Sequence, residues 1–547
     1  MMAFAISILF ILGISVFAFV TKHLRTQKPR QHAEPLKTSG SVSHLSEAAI
    51  LLNERISSAL PNCVILPHEV ASFNYSRNLY WAQQESEVVP ACIVHPKNTE
   101  QLCHVVTILN CEHNERKTSY TKNPRNKKAS RIFAVRSGGH SPVSRSASIQ
   151  DGVLIDMSQF SEVTPSEDSS RVVIGAGAKW GKVVEILNRT GLAVSGARNS
   201  AVGVGGLVLG GGISFFSQQF GFVCNNILSY EIVLANGSVT MASASVNPDL
   251  WRALKGGGNN FGIVTRITVC SFPSTNIWSG FLFLPSWNAP KVLSTFHEYI
   301  NQNHHSAQTM DIDASGPIAC FTYIHQLRLQ AISVNLAYTR PIEPDKKWPE
   351  HWRNSSFKSL WPFWSTCRVR SLLNACDEVT ALNPPGRRQT FGTTTIQNDP
   401  ATLQAAHAAY HSAIASIKRA NITGMSWTLV LQPIMPSWVC KGDPNPLGLD
   451  NLTEPLVIVS FTVNWIKPHD DQLVEKLTRQ TLERIDSSAA GNGKDHQYRY
   501  LNYCGGWQSP FKGYGDENFK FLQQVSQKYD PEGLFQTGCN GAFKLNS

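Results

Sequence analysis

The stretch AVRSGGHSPVS, residues 134–144, sets an arginine, a bare Ser-Gly-Gly turn and a histidine close together. It continues the apolar run RIFAV, which predicts a strand that leads into a glycine turn. Glycine has no Cβ, so its backbone N–H groups can come close to a ligand. The segment therefore predicts either a tight packing turn or a ligand site at the end of a strand.

Two further glycine-rich segments favour the ligand site. They are NSAVGVGGLVLGGGISFFSQQFG, residues 199–221, and KGGGNNFGIVT, residues 255–265. Three such segments in one unit, one of them beside a histidine, indicate a large nucleotide. GAGAKWG, residues 175–181, has one residue too many for a dinucleotide fingerprint, and no acidic residue stands at the right distance. Gly181-Lys182-Val183 lacks the Ser or Thr of a phosphate-binding loop, so ATP hydrolysis is not indicated.

The composition is that of a globular protein with two or three lobes. The chain has 547 residues, of which 42% are hydrophobic and 16% are charged. Its net charge of +10 is concentrated in one stretch rich in Ser, Thr and Asn, which predicts a solvated loop insertion. No nucleic-acid-binding module is recognised, so we expect no nucleic-acid partner, while an anionic substrate or a membrane surface stays open. The basic residues of that stretch are Arg116, Lys117, Lys122, Arg125, Lys127, Lys128 and Arg131.

The amino terminus predicts entry into the secretory pathway. Residues 2–20 carry no charge and are long enough to span a bilayer, and basic residues follow them. Val16-Phe17-Ala18 offers small residues for signal-peptidase cleavage, so the segment is either a cleaved signal peptide or a membrane tether. Six N-x-S/T sequons give weak support for glycosylation. The twelve cysteines form no C-x-x-C pair, which argues against a zinc ribbon, and no metal site is expected.

Patterning along the chain predicts an α+β protein. Residues 46–59 and 98–111 are predicted to be helices, and RIFAVRSGG, residues 131–139, is predicted to be a strand that runs into a glycine turn. After an amino-terminal segment and linker (1–41), we expect a nucleotide-binding domain (42–271, core about 87–271) and a substrate domain (272–490). A carboxy-terminal segment (491–547) contains the aromatic, strand-like YRYLNYCGGW and a helix.

The order and spacing of the motifs resemble one flavoprotein family. They are R-S-G-G-H, V-G-V-x-G near L-G-G-G, G-G-N-N-F-G-I-V-T, and a terminal Y-x-N-Y and Y-D-P-x-x-x-F. This pattern, over residues 61–543, is similar to the berberine-bridge-enzyme-like branch of the vanillyl-alcohol-oxidase FAD flavoproteins. The resemblance implies a two-lobed FAD-binding domain of PCMH type and a substrate domain with an antiparallel sheet covered by helices. It also implies that the carboxy-terminal segment returns to the FAD domain.

The resemblance also implies cofactor roles for individual residues. The glycine turn supplies N–H groups to the FAD pyrophosphate, and His140 bonds covalently to the flavin 8α-methyl group. Many relatives carry a cysteine that makes a second flavin bond where this chain has Asn199, so a single attachment is expected. The residues expected to bind FAD are Arg136, Ser137, Gly138, Gly139, His140, Ser141, Val202, Gly203, Gly206, Gly211, Gly212, Gly262, Val264 and Asn502.

The expected chemistry is an oxidation that ends in H₂O₂. By resemblance, Val202 occupies the position that admits O₂ to the flavin, whereas leucine there accompanies dehydrogenase behaviour. The candidates for the catalytic group that handles the substrate proton are Tyr500, Tyr503 and Gln432, and Gln432 cannot itself be a base. The expected partners are therefore a small-molecule substrate and O₂.

Three functions remain open at this point. The first is a specialised-metabolite oxidase that acts on an alcohol, an amine or an activated C–H bond. The second is a secreted carbohydrate oxidase, which the missing cysteine disfavours, and the third is a silent binding protein, which intact His140 and Val202 disfavour. The aromatic segment SLWPFWSTC, residues 359–367, fits a flat apolar substrate, although aromatic rings also stack on sugars.

Related proteins tie together the two places that Cys63 and Cys111 occupy, which implies a disulfide. In the chain-entropy model, closing this loop would stabilise the folded state by roughly 4 kcal/mol. The bond would require an oxidising compartment.

Overall fold

A computed structural model of the chain describes residues 45–122, 131–305, 311–343 and 345–546. The helices are α1 (Glu47–Ala59), α2 (Val70–Arg77), α3 (Gln83–Ser86), α4 (Thr99–Lys122), α5 (Trp180–Asn188), α6 (Val204–Leu209), α7 (Ser217–Phe220), α8 (Pro248–Leu254), α9 (Ala289–His305), α10 (Glu350–Asn354), α11 (Leu372–Ala381), α12 (Pro400–Ala420), α13 (Pro436–Val439), α14 (Asp471–Gly491) and α15 (Asp516–Tyr529).

The strands are β1 (Val64–Ile65), β2 (Cys92–Val94), β3 (Phe133–Arg136), β4 (Val153–Asp156), β5 (Val163–Pro165), β6 (Arg171–Gly175), β7 (Leu192–Val194), β8 (Ile227–Val233), β9 (Val239–Ser243), β10 (Ile263–Pro273), β11 (Ile277–Pro285), β12 (Ala314–Ile324), β13 (Leu329–Tyr338), β14 (Trp364–Ser365), β15 (Arg368–Arg370), β16 (Arg388–Gln397), β17 (Ser426–Ile434), β18 (Leu456–Trp465) and β19 (Asp495–His496).

Two small sheets build the amino-terminal lobes. In the first, of order β1-β2-β4-β3, β4 runs parallel to both β2 and β3, and these short strands are almost wholly apolar and buried. The second has the order β5-β6-β10-β8-β9, with β7 beside β10, and its strands pair antiparallel. The predicted two-lobed α+β architecture is therefore confirmed.

A large antiparallel sheet forms the second domain. Its order is β14-β11-β13-β12-β17-β18-β16-β19, with β15 beside β11. Strand β12 alternates from Pro317 onward: Phe321 and Tyr323 are buried in the core, while the intervening Thr322 lines a cavity on the opposite face. The buried face shares one apolar core with helices α9, α12 and α14. The other face is left free to form a binding site.

Local signals explain where the covering helices begin and end. Helix α12 starts after Asp399, whose carboxylate accepts a hydrogen bond from the backbone N–H of Thr402 at 2.8 Å, and Pro400 occupies the first turn. It ends at Asn421, which adopts a left-handed φ of 51°.

The carboxy-terminal segment returns to the first lobe. The N–H of Asn540 donates to the carbonyl of Phe133 at 2.7 Å, and the N–H of Ile132 donates to the carbonyl of Gly538 at 2.7 Å. The chain end therefore runs beside β3, the strand that leads to the SGGH turn. The stretch YRYLNYCGGW, expected to be strand-like, contains instead a 3-10 turn over Leu501–Tyr503.

The basic stretch is partly helical, contrary to the prediction of a solvated loop. Helix α4 runs on to Lys122, and two of its basic residues have acidic partners. Arg116 pairs with Glu112 one turn earlier at 2.7 Å, and Lys117 pairs with Glu532 at 2.9 Å. The rest of the stretch, up to residue 130, lies outside the described residues.

The predicted Cys63–Cys111 disulfide is absent from the structure, in which all twelve cysteines are free. The Cys63 thiol lies 3.1 Å from Oε1 of Gln101, which precedes Cys111 by ten residues on α4. Ten helical residues span about 15 Å, more than a disulfide can bridge.

The apolar segment 2–20 and its predicted role lie outside the described residues. Among the residues described, no helix has the length and apolar character that crossing a membrane requires.

Candidate functional site

An open cavity of about 1310 Å³ lies where the glycine-rich loops of the first unit face the free side of the large sheet. Its lining takes in most of the residues that the sequence singled out. Among them are Ser137, Gly138, Gly139, His140, Ser141, Val202, Gly203, Gly206, Gly262, Val264, Gln432, Tyr500, Asn502 and Tyr503.

The SGGH turn presents free backbone donors to this cavity. The hydroxyl of Ser137 donates to the carbonyl of Ala176 at 2.6 Å, which anchors the start of the turn. Gly139 has a φ of 64°, in the left-handed region that favours glycine. Within the described residues, the N–H groups of residues 138–141 donate to no protein acceptor. Consecutive free N–H groups of this kind suit an anion such as a pyrophosphate.

The first two glycine loops touch backbone to backbone. A Cβ on Gly138 would lie 2.4 Å from the Cα and N atoms of Gly203, and a Cβ on Gly203 would lie 2.3 Å from the nitrogen of Gly138. Only glycine allows such an approach, so the two predicted loops form one floor of the cavity.

His140 stacks on a ring that the sequence did not point to. The imidazole lies 4.4 Å from the Trp81 ring centroid, with 8° between the planes. Its buried Nε2 has no hydrogen-bond partner. Burial lowers the pKa of His140 to about 4, helped by the charge of Lys179, so the ring is neutral at neutral pH. A neutral imidazole of fixed orientation can act as a nucleophile.

Arg136, which the sequence predicts to bind the cofactor, makes structural contacts in the protein. Its buried guanidinium pairs with Asp156 at 2.5 Å, donates to the carbonyl of Ser76 at 2.7 Å and lies 4.6 Å from the Tyr80 ring centroid. These contacts are on the side of β3 away from the cavity, and Arg136 does not line the cavity. It ties β3 to α2 and thereby holds the start of the SGGH turn.

Gly211 and Gly212, also predicted to bind the cofactor, do not line the cavity. A Cβ on Gly212 would meet the side chain of Val223 at 2.7 Å, and both residues have positive φ. They serve a tight turn after α6. Gly206 is different, because a Cβ there would meet no protein atom within 4 Å and would enter the cavity.

The aromatic tail motif closes one wall of the cavity. The amide of Asn502 donates to the carbonyl of Leu207 at 3.1 Å and to the Tyr500 hydroxyl at 3.2 Å, which fastens the tail to α6. Tyr500 is buried, and burial raises its pKa, so it is a poor proton acceptor. Tyr503 is only half-buried and lies edge-on to the Tyr500 ring at 4.8 Å.

Arg198 joins two other polar side chains in the cavity wall, and sequence reasoning missed it. Its Nη2 donates to Oε1 of Gln432 at 2.8 Å and to the Tyr503 hydroxyl at 3.1 Å. These residues come from the loop before the second glycine segment, from strand β17 and from the tail. The signal available was position, since Arg198 stands directly before Asn199, which the motif comparison had already marked.

Glu85 holds the loop that follows His140. Its fully buried carboxylate accepts hydrogen bonds from the backbone N–H groups of Arg145 and Ala147, the latter at 3.2 Å. Burial raises the pKa of Glu85 to about 7, although these hydrogen bonds act in the opposite direction. Val143, Ser146 and Ala147 of this loop line the cavity, so Glu85 shapes the site from behind.

Substituting Glu85 with glutamine should change how stability depends on pH. A carboxyl whose pKa is raised on folding stabilises the folded state below its unfolded value of 4.5, and this contribution is lost as the pH rises through about 7. We expect the unfolding free energy of the native protein, relative to E85Q, to fall by about 3 kcal/mol across that interval. Denaturant titrations at several pH values measure it, and a constant difference would contradict the assignment.

The residues present fit a nucleotide cofactor with a reactive ring. Free N–H groups at residues 138–141 suit its phosphates, the space above Gly206 suits its body, and the unpartnered imidazole of His140 suits its ring. Among the described residues, no group of three or more His, Cys, Asp or Glu side chains is arranged to hold a metal ion.

Comparison with known proteins agrees with this fit. Residues 125–243 match a family model described as an FAD binding domain. The chain is 33% identical to the FAD-dependent monooxygenase tpcD of Cochliobolus heterostrophus, over 87% of this chain and 89% of that protein. It is 30% identical to the FAD-dependent monooxygenase drtC of Aspergillus calidoustus, over 94% of each. The chain therefore belongs to the same flavoprotein family as these two fungal proteins. The protein is thus an FAD-dependent oxidoreductase.

Solved structures of the family share the fold. BBE-like 1 of Physcomitrella patens covers 90% of the chain with 98% of its own, at 19% identity and a TM-score of 0.67. The glucooligosaccharide oxidase of Acremonium strictum covers 90% with 99% of its own, at 19% identity and a TM-score of 0.66. That oxidase carries a 6-S-cysteinyl, 8α-N1-histidyl FAD. At such identities the likeness concerns the fold.

Proposed function

We propose that the protein is an oxidase of a specialised metabolite, with FAD attached by a single covalent bond to His140. The observation that carries the proposal is the environment of His140, a neutral imidazole stacked on Trp81 with an unpartnered buried nitrogen in the nucleotide cavity. Bound FAD would accept hydride from the substrate and pass the electrons to O₂. The substrate would be an alcohol, an amine or an activated C–H compound.

The side chain of Asn199 supports a single attachment. Its Oδ1 accepts hydrogen bonds from the N–H of Ala201 and from the hydroxyl of Thr380, both at 2.9 Å. An amide cannot form the thioether of the doubly attached relatives. In this protein the Asn199 side chain connects the second glycine segment to α11, which is a structural role.

The polar residues of the substrate side would handle the proton. Tyr503 faces the cavity, and because its oxygen accepts a hydrogen bond from Arg198, its own proton can point toward a substrate. Gln432 is held by the same guanidinium and would orient the substrate rather than take its proton. Phe281, Phe283 and Phe391 line the same space and give it an apolar wall.

A carbohydrate oxidase is the second candidate, because solved oligosaccharide oxidases share the fold. A screen of H₂O₂ release across oligosaccharides and polycyclic alcohols decides between the two. The proposal expects release with the apolar set and none with sugars. Incorporation of oxygen from O₂ into product without H₂O₂ would instead indicate a monooxygenase, the activity named for the relatives.

Val202 supports the choice of O₂ as electron acceptor. It lines the cavity, half-buried, and its backbone is fixed by a hydrogen bond from the N–H of Trp180 at 2.9 Å. Val202→Leu adds a methylene at this point of approach. We expect reoxidation by O₂ to slow about tenfold or more while reduction by substrate is nearly unchanged. Stopped-flow measurement of both half-reactions tests this, and equal reoxidation rates would remove Val202 from the account.

For the compartment, we propose the secretory pathway, with the protein secreted or tethered through residues 2–20. The support is the uncharged run of these residues and the sequons. The free cysteines of the structure lend it none.

A further inference from the structure

We propose that the substrate is an organic anion whose carboxylate is bound by Arg198. This inference rests on the proposed function, since it names the substrate class of the same cavity. It assigns Arg198 a recognition role that neither the motifs nor the relatives' names supply.

The guanidinium of Arg198 has hydrogen-bond donors that the protein does not use. Only its Nη2 is engaged, by Gln432 and Tyr503. Its Nη1 and Nε make no hydrogen bond within the described part of the chain, where Arg198 also has no ion-pair partner. The residue is half-buried and lines the cavity. A guanidinium offers a planar fork that matches a carboxylate.

The neighbours of Arg198 are donors as well. Gln432 is 97% buried, its oxygen is taken by Arg198, and its Nε2 has no partner. The Tyr503 hydroxyl accepts from Arg198 and can therefore donate into the cavity. Three donor groups converge without a free acceptor among them. An unpaired buried donor is costly, so the arrangement calls for an acceptor-rich group of the ligand.

The charge of the cavity points the same way. Its charged lining residues are three arginines, at positions 198, 328 and 387, and one glutamate, Glu378. Glu378 is already paired with Arg370 at 2.7 Å. Arg387 is occupied by Asn464 at 2.6 Å and by the carbonyl of Gly424. The excess positive charge favours an anion, and Arg198 is the cation free to hold it beside Tyr503.

The rest of the wall sets the shape of this anion. Phe283 stacks on Trp364 at 4.9 Å with 17° between the planes, and both line the cavity with Phe281 and Phe391. Such a wall suits a flat apolar body. The free N–H groups of residues 138–141 would hold the phosphates of FAD, which would leave Arg198 for the substrate.

Naphthoate and naphthamide test the inference, because they share one flat body and differ in charge. Binding of each to the purified flavoprotein at neutral pH is measured by calorimetry and by perturbation of the flavin spectrum. We expect native protein to bind naphthoate about tenfold or more tighter than naphthamide. Arg198→Gln should abolish that preference and leave the affinity for naphthamide within about twofold. Arg198→Lys, which keeps the charge without the fork, should retain part of it.

Arg328→Gln is the matched control, because it removes an equal charge from the exposed rim of the same cavity and should keep the preference. Thermal unfolding and flavin content of each variant establish that it folds. Equal binding of the two probes by native protein, or an unchanged preference in R198Q, would overturn the inference. The inference would also be overturned if R198Q changed the flavin spectrum but left the calorimetric affinities for both probes unchanged. Protein without flavin would contradict the proposed function alone, since calorimetry still gives the ratio of the two affinities.

Discussion

The variant His140→Ala is expected to lose its covalent flavin completely. Native protein precipitated with acid should stay yellow, whereas the variant should release any FAD into the supernatant. We expect this because the proposed flavin bond uses the neutral, buried imidazole of His140, and because Asn199 cannot form a second bond. A covalent histidyl substituent also makes the flavin a stronger oxidant, so the activity of refilled H140A should fall by about 100-fold or more.

His113→Ala provides the matched control. His113 is a buried histidine whose Nε2 contacts the Thr537 hydroxyl at 2.8 Å, and it does not line the cavity. It should retain the full flavin content. A native protein that releases free FAD on precipitation, or an H140A variant that remains yellow, would show that the flavin is held in another way.

The second large effect is expected from Gly138→Ala. The new methyl group would lie 2.4 Å from backbone atoms of Gly203, which cannot move away as a flexible side chain could. The two glycine loops must then separate, at a cost of about 3 kcal/mol in unfolding free energy. We expect a lowered melting temperature together with a loss of flavin, measured by calorimetric unfolding and by the ratio of flavin to protein absorbance.

Substitutions at two other glycines distinguish an effect on protein packing from an effect on the space for the cofactor. Gly491→Ala meets no atom within 4 Å, lies away from the cavity and should change neither quantity. Gly206→Ala meets no protein atom but enters the cavity, so it should keep stability and weaken retention of FAD. A Gly138→Ala protein as stable as the native one would mean that the loops do not meet as described.

The sequence predicted those parts of the site whose chemistry is local. The SGGH turn and the second glycine segment are continuous motifs, and the structure places Ser137, Gly138, His140 and Gly203 around one cavity. The helix and strand periods along the chain are local as well. The α+β class followed from such patterns.

Other parts depended on contacts distant along the chain. Arg136 belongs to the motif, but its partner Asp156 and the Tyr80 ring face away from the cavity, which no spacing reveals. Arg198 gains its role only when β17 and the tail bring Gln432 and Tyr503 to it. Trp81 stands far before His140 in sequence and stacks on it only in the fold. On helix α4, Lys117 has its ion-pair partner, Glu532, at the far end of the chain.

The covalent role of His140 is tested most directly by peptide mapping of native protein. Trypsin cleaves after Arg136 and Arg145, which isolates His140 in the peptide of residues 137–145. The account predicts that the visible flavin absorbance co-elutes with this peptide alone and that its mass is raised by one FAD or by the flavin part of it. Flavin that elutes free, or on a peptide containing any other residue, would contradict the account.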